Sequence, residues 1–268
     1  MKKILIIGKR SVIAKIIKKK LQTFFSVCHI SFRNFQKINK KKLSSFYLLV
    51  NCSFKKNLNT LTNNTDIYTA KKIKNTDLRY VMLSSGKVYG ANNYKKIFTE
   101  KSKCNPSTNY GYIRFKTENI LKKLLFKKLL ILRISNVLMF NYKKHKFSKN
   151  FINEMLNSLK HKSLITIPKK KIIKDFITVE FFTENLVELI KKNANGVFNI
   201  SSSFGLSLEE IGLLLIKGFG SGKIIYKNEN SDSFILSNKK LTKITKKNIN
   251  LKILKKYIFD LGSKLRNV

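Results

Sequence analysis

Apolar residues along this chain fall into short blocks separated by amphipathic stretches. The first block, KKILIIG, is apolar at consecutive positions and ends in Gly8, the pattern of a strand buried on both faces rather than of a helix. From Lys9 to Leu21 the residues Val12, Ile13, Ile16, Ile17 and Leu21 recur at helical spacing. Further strands are predicted at Ser26–Phe32, at Phe46–Cys52, over RYVMLSS and over KLLILRISNV. A short helix is predicted near Asp66–Lys74 and a long one from about Tyr110 to Phe126. Strands that alternate with helices and are apolar on both faces make a parallel sheet covered on each side. The expected class is therefore α/β, a Rossmann-type doubly wound parallel sheet.

The second half reads differently. A helix is predicted over FSKNFINEMLNSLK, a short strand over LITIP and another over GVFNISS. In SLEEIGLLLIKGF, Ser207 is placed to cap a helix whose first turn carries Glu209 and Glu210. The remaining third is Lys-rich with short helices. No linker separates the halves. The expected division is a dinucleotide-binding domain over 1–140, to which segments at about 172–200 return, and a smaller α/β substrate-binding part over 141–268.

Composition adds one large fact: the formal net charge is +42. Taken alone this points to nucleic acid or an anionic surface. Yet only six of the 56 basic residues are Arg, the residue suited to bidentate base and phosphate contacts, and the Lys residues run the whole length. The charge is thus read as a solvated compositional surface that attracts anionic substrates, with no specific nucleic-acid partner. A non-catalytic polyanion (RNA) binder on the same fold is the alternative reading. No apolar run is long enough to span a membrane, so no membrane insertion is expected. Cys28, Cys52 and Cys104 lack metal-ligand spacing, so no metal is expected and a reducing, cytoplasmic setting fits.

Two local patterns carry chemistry. The turn after the first strand reads GKRSVIA, with Gly8 for the tight bend and the small residues Ser11 and Ala14 where a pyrophosphate and a helix approach. The second is a Tyr and a Lys four apart on one helix face, Tyr112 and Lys116. An ammonium beside a phenol favours the phenolate, which can exchange a proton with a hydroxyl or carbonyl while hydride moves to or from a nicotinamide. In a chain this rich in Lys the bare spacing carries little weight; its flanks carry more.

The run SSGKVYG…TEKSKCNPSTNYGYIRFKTE resembles the extended short-chain dehydrogenase/reductase family, the NAD(P)-dependent nucleotide-sugar epimerases, dehydratases and reductases. The matching positions are Ser84–Ser85, Val88–Gly90, Glu100, Pro106, and Tyr112 to Lys116. Arg133 and Asn136 in LRISNV, KDFITV with Lys174 in the family's Arg place, and GVFNISSSFGLSLEEI extend the resemblance. It implies Ser85, Tyr112 and Lys116 as the catalytic set. It implies Gly8, Arg10, Ser11, Val12, Ile13, Arg33, Cys52 and Ser53, with Tyr112 and Lys116, as cofactor-binding residues. Lys87, Asn136 and Lys174 would meet the nucleotide-sugar substrate. Gly86 and Lys87 stand where the family's 4,6-dehydratases carry an Asp-Glu pair, which favours an epimerase or ketoreductase.

The cofactor follows from charge. NAD specificity rests on an acid about twenty residues beyond the Gly-rich turn; no Asp or Glu precedes Asp66, and Arg33 suits a 2′-phosphate. NADP is expected, with NAD as second choice, and homodimerisation is left open.

Overall fold

A computed structural model describes residues 1–53, 61, 63–90, 97–139, 151–229 and 232–266. The first apolar block forms strand β1 (Lys3–Ile7), of which Ile4 to Ile7 are fully buried. Alternate side chains serve opposite cores, as the pleat requires. Ile4 and Ile6 face helices α1 (Val12–Leu21) and α7 (Val179–Lys191), whereas Leu5 and Ile7 face α4 (Thr65–Ile73) and α5 (Asn109–Leu125). Burial on both faces explains why the sequence shows runs and not alternation.

β1 lies inside a parallel six-stranded sheet with β2 (Ser26–Ile30), β3 (Leu48–Asn51), β4 (Arg79–Ser85), β6 (Leu129–Ile134) and β10 (Gly196–Ile200). The order is β10-β6-β4-β3-β1-β2. This is the doubly wound, Rossmann-type sheet expected from the sequence. Only β2 lies outside β1. The next segment, SFRNFQKINKKKLS, forms two five-residue helices, α2 (Phe32–Gln36) and α3 (Lys40–Ser44), capped by Ser31 and Asn39. Winding reverses between β1 and β3, which opens a crevice at the carboxyl ends of those strands.

Two expected elements differ. KLLILRISNV is not one strand. The Ser135 N–H donates to the Ile200 carbonyl, 3.0 Å, and there the chain leaves the main sheet. Asn136–Leu138 then forms β7, which pairs with β9 (Ile173–Thr178), itself paired with β11 (Gly205–Ser207). The C-terminal helices are not all short either. After α9 (Lys239–Thr245), α10 (Leu251–Arg266) has 16 residues and packs Leu254, Ile258, Leu261 and Leu265 onto α8 (Leu208–Phe219). The two helices touch backbone to backbone: a Cβ on Gly218 would lie 2.1 Å from the Phe259 carbonyl oxygen.

α6 (Phe151–Lys162) and β8 (Leu164–Pro168) follow the sequence pattern, although positions 147–150 of the expected helix lie outside the described residues. β8 pairs with β12 (Lys223–Lys227). β5 (Ile97–Phe98) pairs with β13 (Ile235–Leu236), and so carries a C-terminal segment across the end of β4. Ser207 caps α8, accepting from the Glu210 N–H.

Candidate active site

The turn after β1 brings the ends of β1 and β3 into close approach. Gly8 sits at φ +119°, and a Cβ there would fall 2.9 Å from the Cys52 backbone at the end of β3. Only glycine lets the two strand ends come this close. The Ser11 hydroxyl accepts from the Ala14 N–H and caps α1, leaving the helix's amino end, with Val12 and Ile13, facing the crevice. Arg10 and Val12 are exposed, and Ser11 and Ile13 half-buried. Cys52 is buried, and burial, with the nearby Asp66, pushes its thiol far above the ordinary range. The Ser53 hydroxyl donates to Asn51 Oδ1, 2.6 Å. Arg33 lies exposed on α2, just past the end of β2, with no ion pair among the described residues. These residues fit a dinucleotide cofactor: a glycine turn, small neighbours and a helix amino end.

α5 carries the expected Tyr112 and Lys116. Its N-cap Thr108 accepts from the Gly111 N–H, and Gly111 packs onto the turn after β4 so tightly that a Cβ would lie 2.4 Å from the Lys87 carbonyl oxygen. That contact fixes the helix's rotation. Gly111, Arg114, Thr117, Glu118, Leu121 and Leu125 are buried. Tyr112 and Lys116 fall outside that buried set: Tyr112 is 49 % exposed, against 40 % for Tyr110, and the Lys116 ammonium lies 5.3 Å from the Tyr112 ring. The pair expected from the sequence is together but outside the buried face. Two residues earlier stands a second pair with the same spacing, Tyr110 and Arg114, in line with the buried Glu118.

Arg114 is 8 % exposed, its guanidinium carbon 5.7 Å from the Tyr110 ring centroid and its Nη1 2.7 Å from Asp66 Oδ2. Burial works against its charge, but Tyr110 and Asp66, by charge and hydrogen bonding, more than offset that and raise its pKa above the ordinary value. Asp66 also accepts from the Tyr80 hydroxyl at 2.5 Å and from Asn51 Nδ2 at 2.8 Å. Burial, then the Asp66 charge, raises Tyr80 well above a normal phenol.

The two serines ending β4 divide their work. Ser84 is buried and donates to Glu118 Oε1, 2.6 Å. Glu118 is fully buried and bound by Arg133, with Nη2 to Oε2 at 2.7 Å; the guanidinium lies 4.7 Å from the Tyr89 ring centroid. Burial pushes Tyr89 up to about 12, against the pull of Arg133 and Asn199. Ser85 is half-buried on the opposite side of the strand from Ser84, its hydroxyl accepting from the Lys87 N–H in the turn after β4.

Across the crevice, Asn136 on β7 lies opposite Phe176 on β9, so Lys174 is its diagonal neighbour on the same face. The Lys174 ammonium donates to the Asp232 carbonyl, 2.9 Å. Burial and then the charge of Lys87 bring it down to about 8. Lys87 and Lys174 thus come close enough for their charges to oppose each other, with the Asp232 charge partly offsetting that on Lys174. Asn136 Nδ2 is engaged with the Asp175 carbonyl.

The family model for the RmlD substrate-binding domain matches residues 55–230, about two thirds of the chain. The chain belongs to this family. No curated protein matches it by sequence. Its fold is similar to those of several nucleotide-sugar enzymes of known structure. A UDP-N-acetylglucosamine 4-epimerase from Methanobrevibacter ruminantium has a TM-score of 0.83 at 14% identity, with 100% of this chain and 99% of that one covered. A dTDP-glucose 4,6-dehydratase from Bacillus anthracis, in complex with NAD, gives 0.79 at 15% identity, covering 100% and 97%. A dTDP-4-dehydrorhamnose reductase from Clostridium acetobutylicum gives 0.75 at 16% identity, covering 96% and 98%.

Sequence reasoning passed over Tyr110, Arg114 and Asp66. A signal existed: Tyr110, Arg114 and Glu118 repeat at i, i+4 and i+8, which marks one helix face.

Proposed function

We propose that the chain is a nucleotide-sugar epimerase or ketoreductase in which Tyr110, not Tyr112, moves the proton. The observation that carries this reading is the Tyr110–Arg114 pair on α5, flanking Gly111, which packs onto the turn that follows Ser85. A nicotinamide cofactor would supply the hydride donor or acceptor when bound, held by Gly8, Ser11 and the amino end of α1. Tyr110 gives or takes the proton at the sugar oxygen, Ser85 holds that oxygen by hydrogen bond, and the Arg114 cation favours the negative charge on the phenol. Lys87, Asn136 and Lys174 form the wall suited to a diphosphate. Gly86 and Lys87 offer no acid and base for an elimination, which speaks against a dehydratase. Arg33 near the end of β2 supports NADP over NAD.

The test is a thermal-shift panel of UDP- and dTDP-sugars with NADP or NAD, followed by turnover of the stabilising pair. Tyr110→Phe should cut turnover at least ~10²-fold while Tyr112→Phe leaves it within about twofold. The opposite ranking restores Tyr112 to the mechanism and removes Tyr110.

A further inference from the structure

Arg114 is buried, and a lone buried guanidinium is costly; its carboxylate partner comes from another element, 48 residues earlier in the chain. Asp66 is itself held by three donors from three directions: Arg114 on α5, Tyr80 on β4 and Asn51 at the end of β3. It is also part of the α4 amino end, where the N-cap Asn64 accepts from its N–H at 2.9 Å. The carboxylate thus cannot move without shifting the sheet. A lysine at position 114 would present one point charge on a flexible stem; the arginine fork binds Asp66 by one edge and keeps another toward Tyr110.

Resting on the reading of Tyr110 as proton donor, we propose that Asp66 is a positioning residue that sets, through Arg114, the pH at which Tyr110 gives up its proton. The carboxylate anchors the guanidinium beneath the phenol and opposes part of its charge, so Tyr110 meets the positive end of a neutral pair and not a bare cation. The groups around this pair, among the described residues, are few. Asp66 comes from α4, Cys52 and Asn51 from the end of β3, and Tyr80 from β4. The turn after β4 offers Lys87, whose carbonyl lies under Gly111. On α5 itself Glu118 is taken up by Arg133, with Lys122 at 3.9 Å. Asp66 is the acid in contact with Arg114.

The experiment isolates one phenol among ten tyrosines by subtracting the phenolate absorbance titration of Tyr110→Phe from that of the intact chain. Asp66→Asn keeps the shape and removes the charge; it should lower the Tyr110 titration by about one pH unit. The acid limb of kcat/KM should move with it. Arg114→Gln should raise the same titration, and provides the reading if Asp66→Asn does not fold. A folded Asp66→Asn chain whose Tyr110 titration stays in place or rises overturns the proposal, as does an Arg114→Gln chain without an upward shift. Failure of the catalytic reading looks different: Tyr110→Phe would then retain turnover, whatever the titrations show.

Discussion

Asp175 accepts two hydrogen bonds from Ser202 through one oxygen, from its N–H and its hydroxyl, each at 2.9 Å. The other oxygen accepts from the Leu236 N–H, 3.2 Å, so one fully buried carboxylate fastens β9, the end of β10 and the 232–237 segment together. Burial pushes Asp175 up to about 7 despite those donors. Unfolded, it would release its proton near 3.8. Between these values the folded chain holds more protons than the unfolded one, so this group's contribution to stability falls as pH rises from about 4 to about 7 and then levels off. Denaturant midpoints across that range should decline for the native chain relative to Asp175→Asn, whose neutral side chain has no such titration. Parallel curves would remove Asp175 as the source.

Glu118 and Arg133 form a pair that is closed to solvent on both sides. Removing only the acid leaves a buried guanidinium unpaired. Glu118→Ala should destabilise by about 3–5 kcal/mol in urea unfolding. Glu118→Leu with Arg133→Met should recover much of that loss, because no orphaned charge remains. A double variant as weak as the single one would mean that packing around Ser84 and Tyr89, not charge, is what the pair supplies.

Lys174 is held near about 8 by burial and by Lys87, so it is charged below that pH and neutral above it. If this wall takes the diphosphate, UDP affinity measured by calorimetry should drop as pH passes 8. Lys174→Met should bind about tenfold more weakly at pH 7 and lose that dependence. Equal affinity at pH 7 and 9 in the native chain would take Lys174 out of the anion site.

Arg33 lies exposed just past the end of β2, with no ion pair among the described residues. NADP should therefore bind more tightly than NAD, and Arg33→Ala should narrow the gap without weakening NAD. A native preference for NAD would show that the missing acid is compositional drift.

With 56 basic residues spread along the chain, RNA binding should be weak, blind to sequence and nearly gone by about 0.2 M salt. Nucleotide-sugar binding in the crevice should fall far less over the same range, since its contacts are short and partly desolvated. Nanomolar, sequence-selective RNA binding that survives that salt would favour the polyanion-binding reading.

The sequence by itself determined the sheet. Strands such as KILII and RYVMLSS are apolar at consecutive positions because both faces are covered, and that pattern survives without any tertiary knowledge. Capping is equally local, and Ser207 was readable three residues ahead of its partner. The rotation of α5 was not. Tyr-x-x-x-Lys and Tyr-x-x-x-Arg overlap there, two residues or about 200° apart around the helix. The inward face carries Arg114, Thr117 and Glu118, so hydrophobic periodicity does not reveal which side is buried. Gly111 against the Lys87 carbonyl settles the rotation, and Asp66 and Arg133, distant in sequence, neutralise the hidden charges. Only the folded chain brings those partners within reach, because a charge can sit in a core only where its counter-charge has already been placed.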